Sequence, residues 1–488
     1  MGWALGWAVL AVMVAAIALK IIEDIRYRRR RQSLPGPRPL PLFGNILLFS
    51  RNWQRRHWLL LGLAQKHGRI FEFWLLKHRV ISTTDPDIAD YFLNRNFKNY
   101  ERGPRRRKDF KELLGDGIFT ADGRDWMLHR KLAKPLFRTA SIDQGMVPVF
   151  ANHIRLHVFS TLRAAAKSGE PLDIAKLFMS FTMATFLELG LGCRDGTLTA
   201  KQRNKFQRSF DGAQEQIIRR AFNPLQRFSA TKIIQKHVSY LDKHVYAIIR
   251  QRKQESLEEL RNKTDIFSQF LAITDDDGKP LTDKYLRDVF LNFLIAGRDT
   301  TAAALTWAFY NLSLNPKVEQ KLVDEVKQIV SGEVPTSEEI HQLTFARNVM
   351  TETLRLYPSV PFDTRVAINE DVLPNGTKVF PGDEVQYTPF CMGRTEYPDA
   401  PLQFRPERWT EEKAKEAYLK GLFTAFHLGP QTCLGKEMAY TEAVQTLCSI
   451  VKRFELRLVP GEEYKTFTPT LILSPRDGMM VCVTERAE

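Results

Sequence analysis

The chain has 488 residues, 44% of them hydrophobic, and a formal net charge of +15. That length and apolar share exclude a disordered or fibrous chain and supply material for one large core. No internal repeat or Ser/Gly-rich linker divides it. Its five cysteines (Cys193, Cys391, Cys433, Cys448 and Cys482) are odd in number and form no CxxC pair. This argues against a disulfide framework and for a reducing compartment.

The first expected element is a helix. Gly2 to Leu19 carries no charge, and Ile21 and Ile22 extend the apolar run past Lys20. At about 1.5 Å per residue such a helix covers roughly 30 Å, enough to cross a bilayer core. Lys20 can snorkel to one interface, while Trp3 and Trp7 suit the other. A cleaved signal peptide is the competing reading, but no Ala-x-Ala-type site follows. Arg26, Arg28, Arg29, Arg30 and Arg31 follow instead and keep that side cytosolic. The expectation is a single-pass anchor in the endoplasmic reticulum membrane, with the bulk of the chain in the cytosol. In Pro35-Gly36-Pro37-Arg38-Pro39-Leu40-Pro41, five residues have fixed or unusual backbone preferences, which predicts a stiff spacer. Residues 20–31 account for +4 of the net charge and the remainder for +11. A lipid membrane is the partner such charge serves; no nucleic-acid module is recognisable, and nucleic acid is not expected.

Farther on, long apolar-periodic segments dominate from Ile142 to Leu314. Strand-like runs are short, such as Arg79-Val80-Ile81-Ser82 and Val379-Phe380. The fold class is mainly α with a small β region. Trp126 and Arg130 lie four apart, on one helical face. Leu281-Thr282-Asp283 opens a helix that Thr282 or Asp283 can cap, and Asn315-Pro316 ends it about thirty residues later. Its segment Phe290-Leu291-Asn292-Phe293-Leu294-Ile295 is too apolar for a surface helix and predicts passage through the interior. Ala296-Gly297 then lets a flat cofactor or a substrate approach the backbone. The Thr300 hydroxyl can bond back to a carbonyl one turn earlier and loosen the helix. Asp299 beside Thr300 makes an acid–alcohol pair able to deliver protons without flooding a site with water. An ordinary helix, with Asp299 solvated and Thr300 packed, is the other reading of the same residues.

Glu352 and Arg355 stand at i and i+3, on one helical face. Exposed, such a pair is worth little; buried, losing one member costs about 3–5 kcal/mol. Last comes Phe426-His427-Leu428-Gly429-Pro430-Gln431-Thr432-Cys433-Leu434-Gly435, a Gly-flanked loop ahead of an apolar helical run. Two readings of Cys433 are open: a small buried hydrophobe, or a thiolate kept ionised by loop N–H groups at a helix N-terminus. A lone thiolate without Cys or His partners at zinc-like spacing suits haem iron better than zinc or an iron–sulfur cluster.

Four ordered segments together resemble the cytochrome P450 family, the haem-thiolate monooxygenases. Ala296-Gly297-Arg298-Asp299-Thr300-Thr301 is similar to its oxygen-activation motif. Glu352-Thr353-Leu354-Arg355 is similar to its Glu-x-x-Arg, and Phe404-Arg405-Pro406-Glu407-Arg408-Trp409 to its meander. In the cysteine loop, Phe426, Gly429, Cys433 and Gly435 match the haem-binding signature, while Gln431 stands where a basic residue is usual. The resemblance runs from about Leu34 to the C-terminus. It implies a cytochrome P450 fold over 34–488 behind an anchor at 1–33, with a Pro-rich hinge at 34–45. It further implies haem b with Cys433 as axial ligand, and proton delivery by Asp299 and Thr300. Trp126, Arg130 and Arg365 would hold the haem propionates, with Gln431 donating a hydrogen bond but no charge. Glu352, Arg355 and Arg408 would form a structural clamp. Electrons would come from an NADPH-dependent flavin reductase, for which Lys131, Lys134 and Arg138 offer a basic face on the Trp126 helix.

Within the family, Phe110 to Phe119 with Asp122-Gly123, and Tyr357 to Asp363, resemble the plant-type fatty-acid omega-hydroxylases. The pocket this implies is lined by Phe119, Leu294, Ala296, Val360 and Phe362, with the basic run 105–108 either anchoring a carboxylate or facing solvent or lipid. Other readings are another hydrophobic substrate (an alkane, sterol or terpenoid), a haem-thiolate isomerase or dehydratase, and a non-catalytic haem carrier. The isomerase needs no proton relay, which an intact Asp299-Thr300 disfavours.

Overall fold

The computed structural model describes every residue except 1, 32, 194–199, 223–226, 264, 275–277, 464, 468–470 and 488. Helices dominate, as the periodicity predicts, and strands gather into small sheets. The larger sheet has five strands in the order Ile70–Leu75, His78–Thr83, Glu384–Tyr387, Asp363–Ala367 and Tyr100–Glu101. Only the His78–Thr83 and Glu384–Tyr387 pair is parallel. Leu172–Asp173, Met480–Glu485 and Phe454–Leu458 form a three-stranded sheet. Asp371–Val372 and Lys378–Val379 pair separately, so the second expected strand ends one residue before Phe380.

The first helix, Gly2–Arg31, is continuous, and residues 6–20 are all exposed. Its charged end is built into the body of the protein. Arg28 is buried against the Trp74 ring, bonds Asp24 and donates to the Leu40 and Leu76 carbonyls at 3.1 and 3.0 Å. Arg31 reaches Asp383 at 3.0 Å. Two of the five arginines expected to keep that side cytosolic thus also have protein partners. The Pro-rich tract is neither helix nor strand, and it lies on the sheet rather than standing off it. A Cβ on Gly36 would fall 1.9 Å from the Glu72 carbonyl oxygen, so only glycine permits that approach.

The functional segment is a long helix interrupted once. Thr282 caps it, accepting from the Tyr285 N–H at 3.2 Å. An α-helix runs over Asp283–Leu294, gives way to a π-helical turn at Ile295–Asp299, and resumes over Thr300–Leu314. Asn315 closes it before Pro316, where the sequence predicts. Leu286–Ile295 packs into one apolar cluster and Ala302–Leu312 into another, so the break falls where two cores meet. A second apolar helix, Ile174–Leu191, crosses beside it. It is long and apolar enough to span a membrane, but 72% of it is buried and it serves as a core helix.

Candidate active site

The π-helical turn sets the chemistry. A single-turn π-bulge is a common mark of a functional helix. The Thr300 hydroxyl donates to the Ala296 carbonyl at 2.6 Å, the back-bond the sequence predicts. Ser359 donates to the Thr300 carbonyl at 2.8 Å and holds that backbone in place. Asp299 is 5% exposed rather than solvated. Gln214 of the helix Ala200–Phe222 donates to its Oδ2 at 2.9 Å. Its Oδ1 lies 3.0 Å from Arg298 Nη1 but out of line for a hydrogen bond, and Arg298 gives that N–H to Asp211 at 2.6 Å. Burial pushes the Asp299 carboxyl up to about 6, against the pull of Arg298. A carboxyl in that range exchanges protons near neutrality.

Gly297 is half-buried and closes on a neighbouring helix along one direction. Its missing Cβ would sit 2.9 Å from the Phe186 ring, so the glycine admits the helix Ile174–Leu191. Leu294 is fully buried in the second core and lines no open face. The Leu294 expectation fails because the helical period places its side of this segment toward the neighbouring helices. Phe119, Ala296 and Phe362 are half-buried and Val360 is exposed, so these four retain surface for a ligand. The loop before Phe119 is drawn onto the interrupted helix. Asn292 accepts from the Phe119 N–H at 3.0 Å and donates to the Leu114 carbonyl at 2.8 Å, while Asp288 accepts from the Asp116 N–H at 3.0 Å. A Cβ at Gly117 would strike the Asn292 amide at 2.1 Å.

The cysteine loop meets the opposite kind of demand. Gly429 has φ +62°, and a Cβ there would lie 2.4 Å from the Leu93 carbonyl oxygen. Gly435 has φ −88° and caps the helix Lys436–Arg453, so left-handed backbone is required at only one of the two. The Cys433 N–H donates to the Phe426 carbonyl at 2.9 Å, and Phe426 packs on Tyr440. Cys433 is solvent-accessible yet surrounded by a dense shell of protein atoms, as on the floor of a recess. Burial pushes its thiol up, and the Gly435 N–H, Arg130 and Lys436 offset this only in part. The loop and its neighbours thus favour the thiolate without outweighing burial. Coordination to a metal ion is what deprotonates a thiol outright.

Around the recess is a cationic cradle. Arg365, 1% exposed, bonds Asp363 at 2.8 Å and His427 Nε2 at 2.7 Å, and donates to the Gln431 side-chain oxygen. Gln431 thus accepts from a cation instead of replacing one. The Arg365 Nε is buried without a partner. Arg106 pairs with Asp363 at 2.6 Å, and Arg365 with Arg106 overcomes burial to hold that carboxyl far below its ordinary value. Burial, then Arg365, lowers His427 to about 3, so it stays neutral and accepts from Arg365. Arg130 lies 5.7 Å from the Trp126 ring centroid, as their spacing predicts, and close enough to Cys433 to feel its charge. Arg102 was not singled out by sequence reasoning. It is buried, and desolvation together with Arg365 lowers its pKa to about 9. An orphaned buried guanidinium N–H and surplus arginines beside a recessed thiol fit a planar cofactor bearing carboxylates, so the residues present fit haem.

Three of the four residues of the basic run 105–108 have acidic neighbours: besides Arg106 with Asp363, Arg107 meets Asp116 at 3.1 Å and Arg105 lies 3.9 Å from both Asp109 and Glu384. The Trp126 helix ends at Ala133, because Pro135 follows, so Arg138 lies beyond it; Lys131, Lys134 and Arg138 are nonetheless all exposed.

Glu352 and Arg355 are fully buried and doubly bonded, each at 2.8 Å. Arg408 Nε and the Arg405 N–H reach Glu352 Oε1 at 2.9 and 2.8 Å, and Trp409 Nε1 reaches Oε2 at 2.9 Å. Arg355 spends its remaining N–H groups on the Gly393, Pro401 and Gln403 carbonyls. The clamp is present, with Trp409 and the Arg405 backbone as members that motif spacing alone does not reveal.

A recessed cysteine, a cradle for a dianionic planar cofactor and a buried acid–alcohol pair on an interrupted core helix define a haem-thiolate enzyme. The chain belongs to the cytochrome P450 family, whose sequence profile matches residues 34–483. It is 32% identical to cytochrome P450 704B1 of Arabidopsis thaliana, covering 98% of this chain and all of that protein. Cytochrome P450 86B1 of the same plant is 31% identical over 98% of this chain and 90% of its own length. Cytochrome P450 94B1, also from Arabidopsis thaliana, is 31% identical over 94% and 93%. Family membership makes the protein a monooxygenase whose cofactor is haem with an axial cysteine thiolate, served by a redox partner and acting on hydrophobic compounds.

Proposed function

We propose that this protein hydroxylates fatty acids at or next to the terminal methyl, using electrons from NADPH passed through a membrane-bound flavin reductase. Cys433 would be the axial thiolate, and Trp126, Arg130, Arg102 and Arg365 would hold the propionates. Haem, when bound, supplies the activation of dioxygen that no side chain can perform. The chain's own residues do the rest. Asp299, its Oδ2 held by Gln214, binds and releases a proton near neutrality. Thr300, one residue on and held by Ala296 and Ser359, passes it inward while the apolar surroundings keep bulk water out. Phe119, Ala296, Val360 and Phe362 would guide an alkyl chain.

The end of an alkyl chain holds its strongest C–H bonds, so intrinsic reactivity favours internal positions. Only geometry reverses that order, by letting the chain end alone reach the reactive centre. The observation carrying the substrate reading is the placement of the Phe119 loop, pinned by Asn292 and Asp288 to the helix that bears Asp299 and Thr300. This is one of the two segments that resemble the plant-type omega-hydroxylases. The exposed apolar helix Gly2–Arg31 would anchor the protein in the endoplasmic reticulum membrane, with the rest cytosolic.

Incubation with reductase, NADPH and fatty acids of graded length is the test. Products bearing hydroxyl at the last or penultimate carbon are expected. Mid-chain products, or turnover of polycyclic compounds alone, would refute the substrate assignment while leaving the monooxygenase class intact.

A further inference from the structure

The join between the helix Gly2–Arg31 and the body carries more than a membrane boundary requires. Asp24 and Arg28 stand one helical turn apart, on one face. Arg28 is 4% exposed. Its Nε and Nη2 donate to Asp24 Oδ1 at 3.1 and 3.0 Å, and the same guanidinium holds the Leu40 and Leu76 carbonyls. Asp24 Oδ2 accepts from the Leu42 N–H at 3.0 Å. One ion pair therefore joins the helix, the Pro-rich tract and the turn between the strands Ile70–Leu75 and His78–Thr83. Beside it, Tyr27 packs edge-on against Trp74, and Arg31 lies over the Tyr27 and Phe380 rings while donating to Asp383.

An arginine at a simple boundary extends its head into water or lipid headgroups. Burying it is costly unless it is paired and hydrogen-bonded, and here the partners come from three separate segments. The tract that follows has no slack either. The Glu72 N–H donates to the Pro35 carbonyl at 2.9 Å, and Asn45 Nδ2 donates to the Pro37 and Arg38 carbonyls at 3.2 and 3.1 Å. Asn45 Oδ1 accepts from the Trp74 N–H at 2.9 Å. Leu42 and Leu76 have φ +62° and +53°. Left-handed backbone is unfavourable for a leucine and persists only where its surroundings over-determine it. Both leucines are bonded to the Asp24–Arg28 pair, Leu42 through its N–H and Leu76 through its carbonyl.

We propose that Asp24 and Arg28 lock the apolar helix and the body into one rigid unit, so that the body stands over the membrane in a single orientation instead of swinging on a hinge. The direction of the helix through the bilayer then sets which face of the body meets lipid. Around the helix end that face is apolar, with Leu40, Phe43 and Leu76 all exposed. Arg29, Arg38 and Lys77, close to them in sequence or to Arg28, are exposed as well. Such a combination suits an anionic bilayer. The inference rests on the reading of Gly2–Arg31 as a membrane anchor.

The test places the haem-loaded full chain in phosphatidylcholine vesicles containing phosphatidylserine. Polarised flash photolysis of the reduced carbon-monoxide complex reports how freely the haem plane reorients. In a rigid unit the plane turns only with the helix about the membrane normal, and the dichroism settles on a plateau. A hinged body adds motion on the ns–μs scale of loops and erases that plateau. The parent and Arg29→Ala should keep the plateau, while Asp24→Ala and Arg28→Ala should lose most of it. A parental plateau in Asp24→Ala and Arg28→Ala would overturn the lock. So would an equal loss in Arg29→Ala, because contact between charge and lipid would then be what orients the body. Amide hydrogen exchange at Leu42 reads the same joint in detergent micelles, without a bilayer. It should be slow in the parent and faster in Asp24→Ala; fast exchange in the parent would overturn the proposal. If the parent fails to float with the vesicles, the anchor reading falls, and Leu42 exchange still decides whether the joint is rigid. If Arg28→Ala fails to retain haem, Asp24→Ala supplies the comparison in both measurements.

Discussion

Glu352 and Asp299 are both buried, and each stands beside an arginine, yet their surroundings prepare them for different tasks. Glu352 receives N–H groups from Arg355, Arg408, Trp409 and the Arg405 backbone, so both oxygens are filled. Asp299 receives one amide N–H from Gln214, and its arginine is shared with Asp211 and out of line. Donor count separates them. A carboxylate with every oxygen bonded to a fixed donor acts as a joint. An under-supplied one in low dielectric keeps its proton affinity and can hand protons on.

The most drastic way to break this contrast is to remove the group both networks surround. Cys433→Ser should abolish the red-shifted band of the reduced carbon-monoxide complex, while serine at Cys193, Cys391, Cys448 or Cys482 should leave it. A retained band in Cys433→Ser would dismiss the assignment. Arg355→Ala comes next. It strands Glu352 and frees three carbonyls, at a cost of about 3–5 kcal/mol. Arg408→Ala leaves the central pair intact and should cost about 1.5–3 kcal/mol, the range of one charged hydrogen bond. Denaturant midpoints of the two variants measure the difference; equal values would show that Glu352 is not organised around Arg355.

Asp299→Asn tests the other arm. The raised Asp299 carboxyl contributes stability that is present below its unfolded value near 3.8 and lost as pH rises through about 6. Asparagine removes that dependence. It should also lower turnover by about 100-fold or more, the low end for a lost acid–base group, and flatten the limb of the pH–rate profile near 6. A parental profile in Asp299→Asn would place the proton path elsewhere.

Much of this contrast is legible in the sequence, for physical reasons. Glu352, Arg355 and Arg408 announce a clamp because charge amid apolar residues must be paired, and Thr300 announces a back-bond because its reach is one helical turn. Other features come only from long-range neighbours. The missing Cβ of Gly297 makes room for Phe186, more than a hundred positions away in the chain. Leu294 reads as pocket and is core. The departure at Gln431 reads as a lost charge, whereas Arg102 adds one from a strand-to-helix loop that carries no motif. Arg28 and Arg31 read as a membrane boundary, and their bonds to Leu40, Leu76 and Asp383 needed the folded sheet to be seen.

The smallest effect is expected where charges face water. Lys131, Lys134 and Arg138 are exposed at and beyond the end of the Trp126 helix, the helix whose Arg130 senses Cys433. An acidic reductase surface docking there would lie on a short route to the thiolate. Exposed charges contribute to encounter rate more than to affinity, and a Debye length of about 8 Å at physiological salt screens most of it. Reversing all three to glutamate should therefore slow reduction about tenfold or more at low ionic strength, within the range steering confers. The deficit should fade as salt rises and the parent itself slows. Stopped-flow reduction across an ionic-strength series measures it. The Thr300 side should be untouched, so product formed per electron delivered should stay at the parental value. A variant that loses coupling as well would mean that these cations act on the site itself, and the division between a reductase-facing basic surface and a buried proton-handling helix would fall.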